Sequence, residues 1–276
     1  MQIKRVLSVY FSSTGTTKKV VSQIAENLAI YLGVKCETFD FTLAKLRTFE
    51  IKIEKEDLVV FGTPVYAGRV PNVLLKYLST IDGNGAVAVP IVVYGNRNYD
   101  DALIELRDIL EKGDLKTIAA ASFIGEHSFS KVLAKGRPDK EDLNIALEFS
   151  EMLLTKINQI EDYEDIIDPI NVNGSDYPYR GYYQPRDRFG NLINILKVKP
   201  NTADNCNDCK LCVKVCPMNS INYDDVRSFN GICIKCGACL KICPKNAKYY
   251  DDKGYLYHKK ELEEMYSKRL EPEIFI

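Results

Sequence analysis

The stretch IKRVLSVYFSSTGTTKKVVSQIAENLAIYL, residues 3–32, decides the fold. Ile3 to Tyr10 is rich in β-forming residues and reads as a strand. From Thr16 to Leu32 the apolar residues Val21, Ile24, Ala25 and Leu28 recur at i, i+3, i+4 and i+7, the stripe of an amphipathic helix. Between them Ser12-Ser13-Thr14-Gly15-Thr16-Thr17 carries the chain from strand to helix in one hydroxyl-rich turn.

The alternation continues to about residue 160. Val34–Phe39, Leu58–Phe61, Ala86–Tyr94 and Thr117–Ile124 read as further strands. Pro71 suits the first turn of a helix through VLLKYL, and Asp101–Leu110 reads as another. Asp139 or Asp142 is placed to cap a last helix carrying Leu143, Ala146, Leu147, Leu154 and Ile157. Five strands alternating with helices predict an α/β domain: a five-stranded parallel sheet with helices on both faces. Such sheets bind ligands at the carboxyl ends of the strands, where strand order reverses. The loops after strands one, three and four are therefore the candidate site.

The chain has 276 residues, with 37 Lys+Arg against 38 Asp+Glu, which allows two domains and leaves charge even. Residues 1–160 carry 20 basic and 20 acidic side chains, so the first domain lacks the surplus that a phosphate backbone would require. This argues against a nucleic-acid partner. No apolar run approaches the ~20 residues of a membrane-spanning helix, and the start, MQIKR, lacks a secretory h-region. A cytoplasmic protein is expected. Residues 161–204 are broken by Asp168-Pro169, Asn173-Gly174, Tyr177-Pro178, Gly181, Pro185 and Gly190. With Tyr177, Tyr179, Tyr182 and Tyr183 this segment is too aromatic for a flexible spacer, and it is expected to be an ordered connector packed on two domains.

The cysteines are uneven. Of nine, only Cys36 lies before residue 200, in a strand, where it reads as a small buried hydrophobe. The others fall at Cys206, Cys209, Cys212, Cys216 and again at Cys233, Cys236, Cys239, Cys243, each 27 residues on, with Pro217 and Pro244 following. Lys214 and Asn219 repeat as Lys241 and Asn246. In a reducing compartment such a block points to metal, not to disulfides. Thiolates also suit zinc, but zinc sites use pairs of CxxC and need neither a third step nor the Pro. Residues 205–250 are read as the metal domain, and residues 251–276 as a polar tail with a short helix.

The loops after the third and fourth strands are GTPVYAGRVP from Gly62 and YGNRNYD from Tyr94. Both combine Gly, polar groups and aromatics, as a flat heteroaromatic ligand needs. A Gly-x-Gly at residues 83–85 precedes a strand and is not a dinucleotide turn. Together with the SSTGTT turn, these loops closely resemble a flavodoxin domain over residues 1 to about 158, and the cysteine duplication resembles a bacterial two-cluster ferredoxin. The whole is similar to the flavodoxin–ferredoxin fusions of anaerobic bacteria and archaea.

The resemblance implies FMN, with Ser12, Ser13, Thr14, Gly15, Thr16 and Thr17 at its phosphate. Thr63, Pro64, Val65, Tyr66, Ala67 and Gly68 would line one edge of the ring, and Tyr94, Gly95, Asn96, Arg97 and Tyr99 the other. Arg97 near the N1/C2 carbonyl edge would raise the flavin potential. The resemblance also implies two [4Fe-4S] clusters, one on Cys206, Cys209, Cys212 and Cys243, the other on Cys233, Cys236, Cys239 and Cys216. It implies electron transfer between clusters and FMN, and on to a redox partner such as a ferredoxin-type donor or acceptor. The alternative is an FMN-dependent reductase of a small-molecule acceptor, for which His127 and Tyr66 are the candidate catalytic residues. A homodimer stays open.

Overall fold

The computed structural model describes residues 1–276. The first domain runs β1 (Arg5–Tyr10), α1 (Thr16–Leu32), β2 (Lys35–Asp40), β3 (Asp57–Pro64), α2 (Asn72–Leu78), β4 (Val87–Tyr94), α3 (Ala102–Lys112), β5 (Lys116–Thr117), β6 (Ala120–Ile124) and α4 (Lys140–Gln159). The sheet order is β2-β1-β3-β4-β6, all parallel. The fifth strand is divided: β5 and β6 pair in turn with β4, on either side of Ile118 and Ala119. Strand order reverses beside β1, so the loops after β1 and β3 open a crevice there.

Side chains alternate across the sheet. Val6, Leu58, Val60, Val89 and Ile91 face α1 and α4; Leu7, Val59, Phe61, Ala88 and Val92 face α2 and α3. Each fully buried Val or Leu contributes about 1.5–3 kcal/mol, and β4 is buried on both faces along its whole length. Helix α4 begins at Asp139, which forms a capping box with Asp142. Its inward row is Ala146, Phe149, Leu153 and Ile157, and Leu147 is exposed. The expected stripe through Leu143, Leu147 and Leu154 lies off that row. Cys36, on the edge strand β2, is half-buried against the first core and not enclosed.

The connector is held by charge and by tyrosine hydroxyls. Asp101, fully buried, pairs with Arg180 at 2.6 Å and accepts from the Ser175 and Arg180 backbone N–H groups. Tyr179 donates to Asp108 and Tyr182 to the Val70 carbonyl. Arg69 pairs with the buried Glu105 at 2.6 Å and lies 4.7 and 5.1 Å from the Tyr179 and Tyr182 ring centroids.

The cysteine region contains β7 (Asn201–Thr202), α5 (Leu211–Lys214), α6 (Ala238–Ile242) and β8 (Lys248–Tyr249), with β7 and β8 antiparallel. Residues 251–276, expected as a polar tail, form α7 (Lys253–Met265) and then β9 (Glu273–Phe275). β9 returns to the first domain and pairs antiparallel with β6, covering that edge of the sheet. No helix is long and apolar enough to cross a membrane.

Removing one partner of a buried ion pair leaves the other charge uncompensated. Arg69→Ala should therefore lower stability by about 3–5 kcal/mol in urea unfolding, because Glu105 keeps only the Val70 N–H as a donor.

Candidate functional site

A cavity lies at the carboxyl edge of the sheet. Ser13, Thr14, Thr16 and Thr17 form one wall, Pro64, Val65 and Tyr66 a second, Val93, Tyr94 and Gly95 a third, and Gly125 to Ser128 a fourth. The remaining wall residue is Cys236, from the other domain.

One end is an anion cradle. Gly15, at φ 88°, turns the chain into α1, whose first-turn N–H groups at Thr16 and Thr17 have no intrahelical acceptor. Thr17 Oγ1 is buried with no hydrogen-bond partner. Free donors at a helix N-terminus beside an unpartnered hydroxyl fit a phosphate. Ser12 is engaged elsewhere: its Oγ accepts from Lys18 N at 3.0 Å and its N–H donates to Thr42. Ser13 Oγ lies 2.9 Å from the Tyr66 hydroxyl. Of the expected set Ser12–Thr17, Ser13, Thr14, Thr16 and Thr17 line the cavity.

The other two loops divide in the same way. Pro64, Val65 and Tyr66 line the cavity; Thr63 is buried within β3. Ala67 gives its carbonyl to Tyr183 N, and Gly68 packs on Asp100, so both serve the connector side. Tyr94 and Gly95 line the cavity, but the three residues expected beyond them turn away. Asn96 donates to the Tyr266 and Lys268 carbonyls at 2.6 and 2.8 Å, clamping the chain between α7 and β9. Arg97 pairs with Asp100 and stacks 4.4 Å from the Tyr183 centroid. Tyr99 is buried and donates to Glu273 on β9 at 2.7 Å. The returning C-terminal strand and the connector take up these side chains, which no local motif announces.

His127 packs on Gly95, where an added Cβ would lie 2.3 Å from the imidazole Cδ2. Its Nδ1 accepts from Phe129 N at 3.1 Å, which leaves Nε2 carrying the proton. Burial, then the nearby His258, Lys241 and Arg97, push its pKa down to about 4. His258 is buried as well, stacked on Tyr183, and burial beside Arg97 lowers it to about 4.

The eight clustered cysteines form two groups. Cys216, Cys233, Cys236 and Cys239 line one cavity with Phe229, Ile232 and Tyr250. Cys206, Cys209, Cys212 and Cys243 line a second. Each group takes three residues from one repeat and one from the other. Equivalent N–H groups point at equivalent sulfurs: Ser220 N to Cys216 Sγ at 3.4 Å, Ala247 N to Cys243 Sγ at 3.2 Å. No three of these side chains converge on the position of a single ion.

An α/β domain with an anion cradle, joined to a domain with two four-thiol cavities, defines an electron-transfer flavo/iron–sulfur class. Residues 7–120 match the model of the flavodoxin domain family and residues 205–248 that of the 4Fe-4S dicluster domain, so the chain has a flavodoxin–ferredoxin fusion architecture. Similar solved structures include flavodoxin 1 of Bacillus cereus, at 17% identity over 55% of this chain and 98% of that one, TM-score 0.41. A Fusobacterium nucleatum flavodoxin mutant bound to flavin mononucleotide shows 20% identity over 57% of this chain and 97% of its own, TM-score 0.38. None of the curated proteins matches the chain.

Both histidines are harder to protonate in the fold than in the unfolded chain, where their pKa is near 6.5. The stability this contributes is complete above about pH 6.5 and is lost as pH falls toward 4. Urea midpoints should therefore drop between pH 6.5 and 4.5, and His258→Phe, which keeps the stacked ring, should flatten that slope.

Proposed function

We propose that the chain carries FMN in the sheet-edge cavity and a [4Fe-4S] cluster in each thiol cavity, and moves electrons between the clusters, the flavin and a redox partner protein. The observation that carries this reading is Cys236, which borders a thiol cavity and the sheet-edge cavity at once. FMN supplies one- or two-electron chemistry and each cluster one-electron chemistry.

The chain's own residues bind and enclose these groups. Thr14, Gly15, Thr16 and Thr17 hold the phosphate. Pro64, Val65, Tyr66, Tyr94 and Gly95 flank the ring, and the lack of a Cβ at Gly95 gives His127 room to close that side. Held neutral by burial, His127 offers a flat polar surface and no charge near pH 7. The thiolates assigned to the clusters are Cys206, Cys209, Cys212 and Cys243, and Cys216, Cys233, Cys236 and Cys239. Lys241, 2.7 Å from Glu126, and Arg47, donating to the Pro217 carbonyl at 2.8 Å, pin the thiol domain on opposite flanks of the cavity. That domain contributes Cys236 to the cavity wall. A prospective cluster ligand at the flavin wall supports a carrier over a reductase, and a ferredoxin-type protein of a reducing cytoplasm is the partner class that fits.

Anaerobically purified protein should contain about eight iron and eight sulfide per FMN, and a low-potential ferredoxin should reduce all three centres. Turnover of any quinone, nitro compound or enone well above that of free FMN would replace the carrier with the reductase. Gly95→Ala should weaken FMN binding by at least about tenfold through its clash with His127, roughly the loss of one good contact, and leave the iron content unchanged.

A further inference from the structure

Residues 185–193 of the connector fold into a hairpin, in which Arg186 bridges to Leu192 and the Ile193 N–H donates to the Pro185 carbonyl. Asp187 holds its tip. The carboxylate accepts from the Phe189 and Asn191 N–H groups and from the Asn191 side chain, and Gly190 turns the chain at φ 85°. Arg188 ties the hairpin to α7, pairing with Glu261 at 2.8 Å and Glu264 at 2.6 Å. Between the hairpin and α7 lies a cavity of about 330 Å³, enough for a small molecule. It shares no lining residue with the sheet-edge cavity or with either thiol cavity.

Two donors lining this cavity have groups to spare. His258 is only 5% exposed, stacked on Tyr183 at 5.9 Å and edge-on to Phe129 at 6.3 Å. No protein group bonds to either of its ring nitrogens, and the ring lines the cavity. A polar ring so enclosed is costly without a partner, and a ligand that accepts from it recovers that cost. Arg186 makes one hydrogen bond, to the Gly190 carbonyl at 2.6 Å, and pairs with no carboxylate. The two carboxylates that line the cavity are already engaged, Asp187 within the hairpin and Glu261 with Arg188. A free guanidinium fork matches a carboxylate, and a neutral imidazole adds one N–H. The remaining wall, including Tyr183, Leu262, Met265 and Tyr266, suits a flat apolar body.

We propose that the cavity between the connector hairpin and α7 binds a small aromatic carboxylate, with Arg186 and His258 at the carboxylate and Tyr183, Leu262, Met265 and Tyr266 around the ring. The site stands apart from the flavin and cluster reading and does not depend on it.

The test is isothermal titration of the full-length protein with sodium benzoate near neutral pH. Binding should saturate at about millimolar concentration, the range for a fragment of so few atoms. Benzamide, the uncharged analogue, should bind about tenfold more weakly, and Arg186→Gln and His258→Phe should each weaken benzoate about tenfold, the worth of one hydrogen bond to a charged group. Met265→Trp, at the exposed rim, should block the cavity while leaving both donors in place. Urea unfolding of each variant separates loss of the site from loss of the fold. Failure to saturate, equal affinity for benzoate and benzamide, affinity unchanged in folded Arg186→Gln, or full binding by Met265→Trp would each overturn the inference.

Discussion

Two carboxylates that the fold buries at the start of α3 govern the rest of the molecule. Asp101 and Glu105 are enclosed almost completely, and a buried carboxylate without a partner costs several kcal/mol. Each is met by an arginine from a different segment, Glu105 by Arg69 from the loop after β3 and Asp101 by Arg180 from the connector. The two arginines are joined in turn, since Arg69 donates to the Arg180 carbonyl at 2.6 Å. One cavity wall and the path of the chain toward the thiol domain are thus fixed by a single ion network.

With that path set, the thiol domain has one way to land. Glu126–Lys241 and Arg47–Pro217 are each partly exposed contacts of modest worth, but they sit on opposite flanks of the cavity with Gly237 against Ser128 between them. Three weak contacts that do not share a line define an orientation. The chain then returns through α7, whose His258 and Tyr255 pack on Phe129 from the loop after β6, and β9 closes the edge that β6 would otherwise leave unpaired. The last residues of the chain therefore support the first domain.

Much of this was legible in the sequence, for identifiable reasons. Helix α1 was readable from Thr16 to Leu32 because an amphipathic stripe is a local signal. The crossing of the two repeats was implied by the resemblance to a two-cluster ferredoxin, and the two thiol cavities are lined in the same crossed way. What stayed hidden depends on distant partners. The strand Glu273–Phe275 is three residues long and finds its mate about 150 positions earlier, so no periodicity marks it. Asn96, Arg97 and Tyr99 sit in a loop that suits a flavin, yet their side chains answer to Tyr266, Asp100, Tyr183 and Glu273. Nothing in the serine pair distinguishes a phosphate ligand from a structural serine, and only tertiary structure shows Ser12 accepting from Lys18 N and Ser13 facing Tyr66.

The near-zero net charge has an internal origin. Arg5, Arg69, Arg97, Arg137, Arg180, Arg188 and Arg269 all pair with carboxylates, most of them linking segments far apart in sequence. Charges bound in such pairs hold the two domains and the tail together and cancel as they do so. The protein therefore presents no one-signed field able to steer a partner from a distance. Recognition has to be local, and around Cys209 the exposed groups include Asp204, Asp208, Tyr223, Asp224 and Asp225, with Asp208 paired to Lys210. A small acidic and aromatic margin of this kind can orient an incoming redox protein at contact range while leaving its approach almost insensitive to the overall charge of either molecule.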